Sequence, residues 1–248
     1  MAKPCLIVVI LAMLASGARA DDVRYSLAEL ETLVGQKSFE EAFAHLRDIA
    51  PAQRSARWLD VAAAASAGML ATLPADDGTT LIVIDSIDRE YPQLRGVASY
   101  ARSREELGLR GLDGCFQHTR NCLQLGLRFA DRSGDHRIAL AVARLIVARS
   151  NAASAVPLFK RALGMKDQHV ICRAGDLRIA VIAGLESPVG SATALDARAI
   201  MKTCWAALAS SIVKAFDAGT KRGALHRNTC DVLESKGLLS SLEAKRCK

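Results

Sequence analysis

The apolar residues of this chain recur at intervals of three and four, while the strict alternation of a half-buried strand is nearly absent. The plainest case is residues 134–163, which have the pattern of two short amphipathic helices joined by a polar turn. This spacing predicts an all-α fold of about ten to twelve helices with short connections. We expect an irregular α-solenoid or an array of antiparallel helical hairpins.

One segment, residues 79–92, is ambiguous between helix and strand. Leu81 and the three residues that follow it form an apolar run rich in β-branched side chains, which suits a strand. The longer spacing of Leu81, Ile84, Ile87 and Tyr91 is helical, and a lone strand would have no partner elsewhere in the chain. The segment is therefore predicted to be a helix.

Three glycines, Gly108, Gly111 and Gly114, predict a break in the helical pattern. An N-terminal helical array is expected over residues 21–110. Helical hairpins with disulfides are expected over residues 111–248, continuous with the first region.

The first twenty residues have the three parts of a secretory signal peptide. Lys3 supplies a basic start, residues 6–15 are an unbroken apolar run, and Ala18 and Ala20 are the small residues that signal peptidase accepts. We predict cleavage between Ala20 and Asp21, which makes the protein periplasmic or secreted. The apolar run is shorter than the roughly 20 residues that span a bilayer, so no stable membrane insertion is expected.

Charge and aromatic content restrict the classes of partner. The formal net charge of +7 at pH 7 falls to +5 when Lys3 and Arg19 leave with the signal peptide. The basic residues are interleaved with acidic ones, as on a solvated helical surface. Aromatic residues make up 4% of the chain, too few for the stacking platforms that bind single-stranded nucleic acid. No nucleic-acid partner is expected.

Residues 134–163 also carry a pattern of small and aromatic residues. Ala155, Phe159 and Ala162 place a small residue, an aromatic four positions later and an alanine three further. This resembles the second helix of the tetratricopeptide hairpin, and residues 39–46 resemble it with leucine in place of the aromatic. The first-helix tryptophan and Leu-Gly pair are absent, and the two segments are not separated by a whole multiple of about 34 residues. The resemblance, which exported bacterial proteins share, covers about two hairpins and implies a repeat-like helical array.

Six cysteines remain after signal cleavage, and an even number in an exported chain predicts disulfides. Two helices are predicted over residues 171–185 and 194–216, separated by a loop at residues 186–193. Cys172 and Cys204 lie at similar distances from this loop, so an antiparallel hairpin would place them side by side. Cys230 lies seven residues before Gly237 and Cys247 lies ten residues after it, so a turn at this glycine would also place the two cysteines side by side. These two pairs are therefore predicted to be bonded.

The other two cysteines, Cys115 and Cys122, are seven residues apart. Along one helix this spacing separates Cα atoms by about 10.5 Å, beyond the disulfide limit of roughly 7 Å. They can pair only if Cys115 lies outside the helix, which the preceding glycines permit. The alternative is a zinc site, because Cys115, His118 and Cys122 share one helical face. Oxidation competes for the thiolates of an exported protein, so we expect disulfides and neither metal nor cofactor.

No motif for catalysis stands out. HExxH, GxSxG and phosphate-loop patterns do not occur in the chain. Ser211 and Lys214 match the S-x-x-K of serine acyl-enzymes, but the accompanying SDN and KTG segments are missing. No catalytic residue is assigned.

These features favour an exported helical-repeat protein that acts as a scaffold for a protein or peptide partner. Two alternatives stay open. One is an exported hydrolase-type enzyme whose site is assembled from residues distant in sequence. The other is a purely structural component of the cell envelope.

Overall fold

A computed structural model describes residues 24–74, 79–118, 122–149, 151–165, 168–218, 223–235 and 247. Within these residues the chain forms thirteen α-helices, four short 3-10 helices and no β-strand, which confirms the predicted all-α class. The chain divides into two compact units, Met1–Leu125 and Gly126–Lys248. The predicted signal peptide lies outside the described residues. None of the helices in the described part is both long and apolar enough to cross a membrane.

Five helices belong to the N-terminal unit. They are α1 (Leu27–Gly35), α2 (Phe39–Ala44), α3 (Ala56–Thr72), α4 (Thr79–Glu90) and α5 (Ala98–His118). The ambiguous segment is α4, so its prediction as a helix is confirmed. Short 3-10 helices at Leu46–Asp48, Pro51–Gln53 and Pro92–Gly96 connect the longer elements.

The start of α1 follows from a capping box. The Ser26 hydroxyl accepts the Glu29 backbone N–H, and the Glu29 carboxylate accepts the Ser26 backbone N–H at 2.7 Å. Two amide groups that the helix itself leaves unpaired are satisfied in this way. The Ser26 hydrogen bonds lower the pKa of the Glu29 carboxyl. Ser38, which precedes α2, makes no side-chain cap.

Helix α3 supplies much of the core of the N-terminal unit. Trp58, Met69 and Leu70 are fully buried along it, together with several alanines. Gly68 lies against the Phe39 ring of α2 so closely that a Cβ at this position would overlap the ring. The absence of a side chain therefore allows α2 to pack directly against the α3 backbone.

The predicted break at the glycines of residues 108–114 is wrong. α5 continues through all three glycines and ends at His118. A Cβ at Gly111 would lie 3.2 Å from the Leu81 side chain, tighter than most such contacts. Gly111 permits close packing between α4 and α5. The rule that glycine marks a turn or a helix break does not distinguish this packing role from a break.

An ion pair is buried between α4 and α5. Arg104 donates to both Asp88 carboxylate oxygens, with Nη2 2.6 Å from Oδ2, and the two side chains are 3% and 1% exposed. Tyr100 also donates its hydroxyl to Asp88, at 3.2 Å. Burial raises the pKa of Tyr100 well above its ordinary value, and the Asp88 carboxylate raises it further. The Tyr100 hydroxyl therefore keeps its proton and remains a donor.

Eight helices make up the rest of the described chain. They are α6 (Cys122–Arg132), which crosses the division between the units, α7 (His136–Ala148), α8 (Val156–Met165), α9 (Gln168–Cys172), α10 (Gly175–Leu185), α11 (Ala192–Thr203), α12 (Trp205–Ala218) and α13 (Gly223–Ser235). A 3-10 helix at Ala152–Ala155 lies between α7 and α8. In the C-terminal unit α7 packs against α8, and α10 against α11.

The three residues that carry the tetratricopeptide resemblance lie in the core of the C-terminal unit. Ala155, Phe159 and Ala162 are each 0% exposed. Nearby, a Cβ at Gly184 of α10 would come within 2.8 Å of both the Ala197 Cβ and a Val156 methyl group. Gly184 therefore sets the distance at which α10 packs on α8 and α11. The tetratricopeptide assignment itself stays a prediction.

Substitution of Gly184 tests this packing. We expect Gly184→Ala to cost about 1–3 kcal/mol of unfolding free energy, because neither Val156 nor Ala197 can move aside easily. Gly164 of α8 has no atom within 4 Å of the position that a Cβ would take, so Gly164→Ala is the matched control. The control should be neutral or stabilising by up to about 1 kcal/mol through helix propensity. Urea unfolding of both variants measures the difference, and equal stabilities would contradict the packing role.

The buried ion pair gives a second prediction. Asp88→Asn removes the carboxylate that pairs with the buried Arg104 guanidinium, so we expect a loss of about 3–5 kcal/mol. The exposed pair of Glu106 and Arg110 provides the control, since Glu106→Gln removes a surface ion pair worth about 0–1 kcal/mol. Urea unfolding at neutral pH compares the two. A cost for Asp88→Asn no greater than for Glu106→Gln would show that the buried pair is dispensable.

Candidate functional site

Two disulfides tie elements of the C-terminal unit together. Cys172 is bonded to Cys204, with Cα atoms 5.2 Å apart, and Cys230 is bonded to Cys247, with Cα atoms 5.7 Å apart. Both predicted pairings are confirmed.

The bond between Cys172 and Cys204 joins two interruptions in the helical path. The sequence predicts continuous helices over residues 171–185 and 194–216, and both predictions are wrong. The first is broken between Cys172, the last residue of α9, and Gly175, the first residue of α10. The second is broken at Cys204 alone, between α11 and α12.

Local backbone geometry accounts for each interruption. Ala174 is extended, with φ −63° and ψ 124°, and its N–H donates to the Ile171 carbonyl, which tightens the last turn of α9. Cys204 has φ −100° and ψ 20°, and its carbonyl accepts the amides of Ala207 and Leu208. A new helix therefore starts directly from the residue that ends the old one.

These interruptions form a cleft around the disulfide. Its volume is about 480 Å³, within the range of about 300–1,000 Å³ that is usual for ligand pockets. The described residues that line it come from α9, the end of α11 and the first turn of α12. They are Gln168, His169, Cys172, Arg173, Thr203, Cys204, Ala206 and Ala207.

The side chains of the cleft combine positive charge with little bulk. Arg173 and His169 are exposed, and none of the described lining residues carries a carboxylate. Lys202 is exposed next to the lining residue Thr203. Ala206 and Ala207 are exposed and leave space above the first turn of α12. A helix N-terminus carries a partial positive charge, so the N-terminal end of α12 adds to the positive character of the cleft.

The wall formed by α9 is a short helix that the disulfide crosslinks to Cys204. α9 has five residues, of which Ile171 is the buried one, while Gln168, His169 and Val170 are exposed. A single turn of helix is unstable alone, because nucleation fixes several residues for one hydrogen bond. The crosslink to Cys204 therefore supplies much of the order of this wall.

Cys115 and His118 of the alternative zinc site belong to α5, Cys122 belongs to α6, and residues 119–121 lie outside the described residues. A single helix across these three residues therefore stays a prediction. The side chains of Cys115 and His118 lie outside the described residues. Cys122 is disulfide-bonded, which removes its thiolate as a zinc ligand. Among described residues, no group of three or more His, Cys, Asp or Glu is placed to hold a metal ion.

The S-x-x-K match lies on the surface of α12. The Ser211 hydroxyl accepts a hydrogen bond from Arg178 of α10 at 3.5 Å, and Lys214 is exposed. Arg178 and Ser211 thus link α10 to α12 at the surface, and neither Ser211 nor Lys214 is among the residues that line the cleft.

In the N-terminal unit, the most elaborate group of polar and aromatic side chains is part of the packing. The Arg54 guanidinium lies 4.8 Å from the centroid of the Trp58 ring and 5.5 Å from that of Tyr91. Burial raises the pKa of Tyr91, and the neighbouring Glu90 raises it further. Trp58 and Tyr91 are each 1% exposed, so this group stabilises the core and offers little surface to a ligand.

Compared with models of protein families, with curated proteins and with solved structures, the chain gives no match. The candidate site therefore rests on its own geometry.

Sequence reasoning locates both cysteines of the cleft and misses the cleft itself. The helix break at Cys204 has no proline or glycine at that residue to indicate it. Gly175 could have indicated the end of α9, since glycine is a poor helix former.

Proposed function

We propose that this protein is an exported helical protein that binds an acidic segment of a partner protein or peptide in the cleft at Cys172 and Cys204. The observation that carries this proposal is the chemistry of the cleft. Among its described lining residues Arg173 supplies a positive charge, none carries a carboxylate, and Ala206 and Ala207 are small. A carboxylate in the cleft would meet Arg173 and the N-terminal end of α12, both of which favour negative charge.

Export is supported by two independent features. The N-terminal sequence has the composition of a signal peptide. The described chain contains two complete disulfides, which persist in oxidising compartments and are rare in the cytosol. A binding role agrees with the formal net charge of +5 that remains at pH 7 after Lys3 and Arg19 leave with the signal peptide, because positive charge attracts acidic partners.

The test is a selection of displayed peptides on the immobilised oxidised protein, followed by titration of an enriched peptide. We expect enriched sequences to be acidic and their affinity to fall with ionic strength, because salt screens exposed charges. Arg173→Glu reverses the charge of the cleft and Ala207→Trp fills it, so each should weaken binding by about tenfold or more, equivalent to about 1.4 kcal/mol. Isothermal titration calorimetry measures the change.

Matched controls come from exposed residues outside the lining of the cleft. Lys214→Glu makes the same charge change on α12, and Ala199→Trp adds the same side chain to α11. Both should bind the enriched peptide as the wild type does. Enrichment of basic peptides, or equal losses in the cleft variants and the controls, would contradict the proposal.

A further inference from the structure

The Cys172–Cys204 disulfide lies in the wall of an open cleft. Cys172 and Cys204 both line the open cleft, where Cys172 is half-buried and Cys204 is 2% exposed. Cys230 lies within α13 at 8% exposure, and its partner Cys247 is half-buried. An attacking thiolate therefore has an entry to the first bond through the cleft, on the side of Cys172.

We propose that the Cys172–Cys204 disulfide is a redox site that exchanges with an external dithiol. In the first step a thiolate of the dithiol attacks the Cys172 Sγ, the bond between the two protein sulfurs breaks, and Cys204 leaves as a thiolate. In the second step the other thiol of the reductant attacks the mixed disulfide and releases the Cys172 thiol. Two electrons pass to the protein, Cys204 takes up one proton, and the dithiol ends as a disulfide.

The position of Cys204 makes it the better leaving group. It stands one residue before α12, a helix of 14 residues, and its carbonyl accepts the amides of the first turn. The partial positive charge at a helix N-terminus stabilises a thiolate, and nearby cations do the same. Arg173 lines the cleft beside Cys172, and Lys202 is exposed two residues before Cys204. Cationic surroundings also attract an incoming thiolate to the cleft.

Reduction of the Cys172–Cys204 disulfide has a structural consequence, because this bond crosslinks the short helix α9. Without it α9 keeps the burial of Ile171 and its packing against α8, and loses its covalent link to the α11–α12 junction. We expect α9 to detach locally, which changes the cleft wall while the packing of α10 and α11 around Gly184 persists. Control of partner binding by this change rests on the proposed function, whereas the exchange itself does not.

The first test compares the two bonds in the oxidised full-length protein. Dithiothreitol is added without denaturant, samples are quenched with an alkylating agent over time, and peptide mass spectrometry reports each cysteine. We expect Cys172 and Cys204 to be reduced at least about tenfold faster than Cys230 and Cys247, with far-UV circular dichroism nearly unchanged. Equal rates, or reduction only as the helical signal is lost, would overturn the proposal.

The second test identifies the sulfur that is attacked. Glutathione, a monothiol, forms the mixed disulfide of the first step, and mass spectrometry locates it. The adduct is expected on Cys172, and an adduct on Cys204 would reverse the assignment and overturn the mechanism. Neither measurement involves a peptide ligand, so its failure is distinct from failure of the binding proposal.

Charge variants test the role of the surrounding cations. Arg173→Gln should slow reduction of the Cys172–Cys204 bond by about two- to fivefold, because it removes a charge that stabilises and attracts thiolates. Lys214→Gln, an exposed lysine of α12 outside the cleft lining, is the control and should leave the rate unchanged. Similar rates in the two variants would contradict the electrostatic contribution.

Discussion

Close packing of helices through small residues is the constraint on which both units depend. Buried leucine, isoleucine and valine side chains fill the cores, and glycine and alanine at helix contacts let the helix backbones lie close together. Gly68 lets the Phe39 ring lie on α3, and Gly184 lets α10 lie against Val156 and Ala197. Each contact depends on the absence of a single Cβ, and a core of this kind is intolerant of added volume at those positions. The buried alanines of α3 extend the same principle along a helix, since they present only methyl groups to their neighbours.

The same constraint explains how far the sequence predicts the fold. Apolar spacing identifies the helices, including α4, whose β-branched run also suits a strand, because the helical period extends over more residues than the strand-like run. The prediction of helix breaks fails at the glycines of α5. Glycine is typical of helix breaks, but α5 continues through Gly111. This glycine is needed instead for the close contact with the Leu81 side chain. A glycine needed for proximity and a glycine needed for a turn look the same in sequence, and only the neighbouring helix distinguishes them.

The Cys172–Cys204 disulfide is predicted correctly although the boundaries of the helices that carry the two cysteines are predicted wrongly. Counting residues from the loop between α10 and α11 places Cys172 and Cys204 at similar distances from it. Each predicted helix is interrupted, but the interruptions fall at or next to the cysteines, so the distance along the intervening helices is preserved. The cleft could not be predicted in this way. The cleft lies at the two helix interruptions, and Cys204 carries no residue-type signal of a helix break.

The Cys172–Cys204 disulfide therefore has two physical roles. It crosslinks segments 32 residues apart, which lowers the entropy of the unfolded chain, and it holds a five-residue helix that has little packing of its own. A crosslink buried among large side chains would serve stability alone, because reductants could not reach it. Here Cys172 is half-buried and lines the cleft together with Arg173, so the bond that orders the cleft wall is also open to chemistry from the cleft. Stability of the core around Gly184 and order of the cleft wall are then separable properties, because the first depends on packing and the second on the oxidation state of two cysteines.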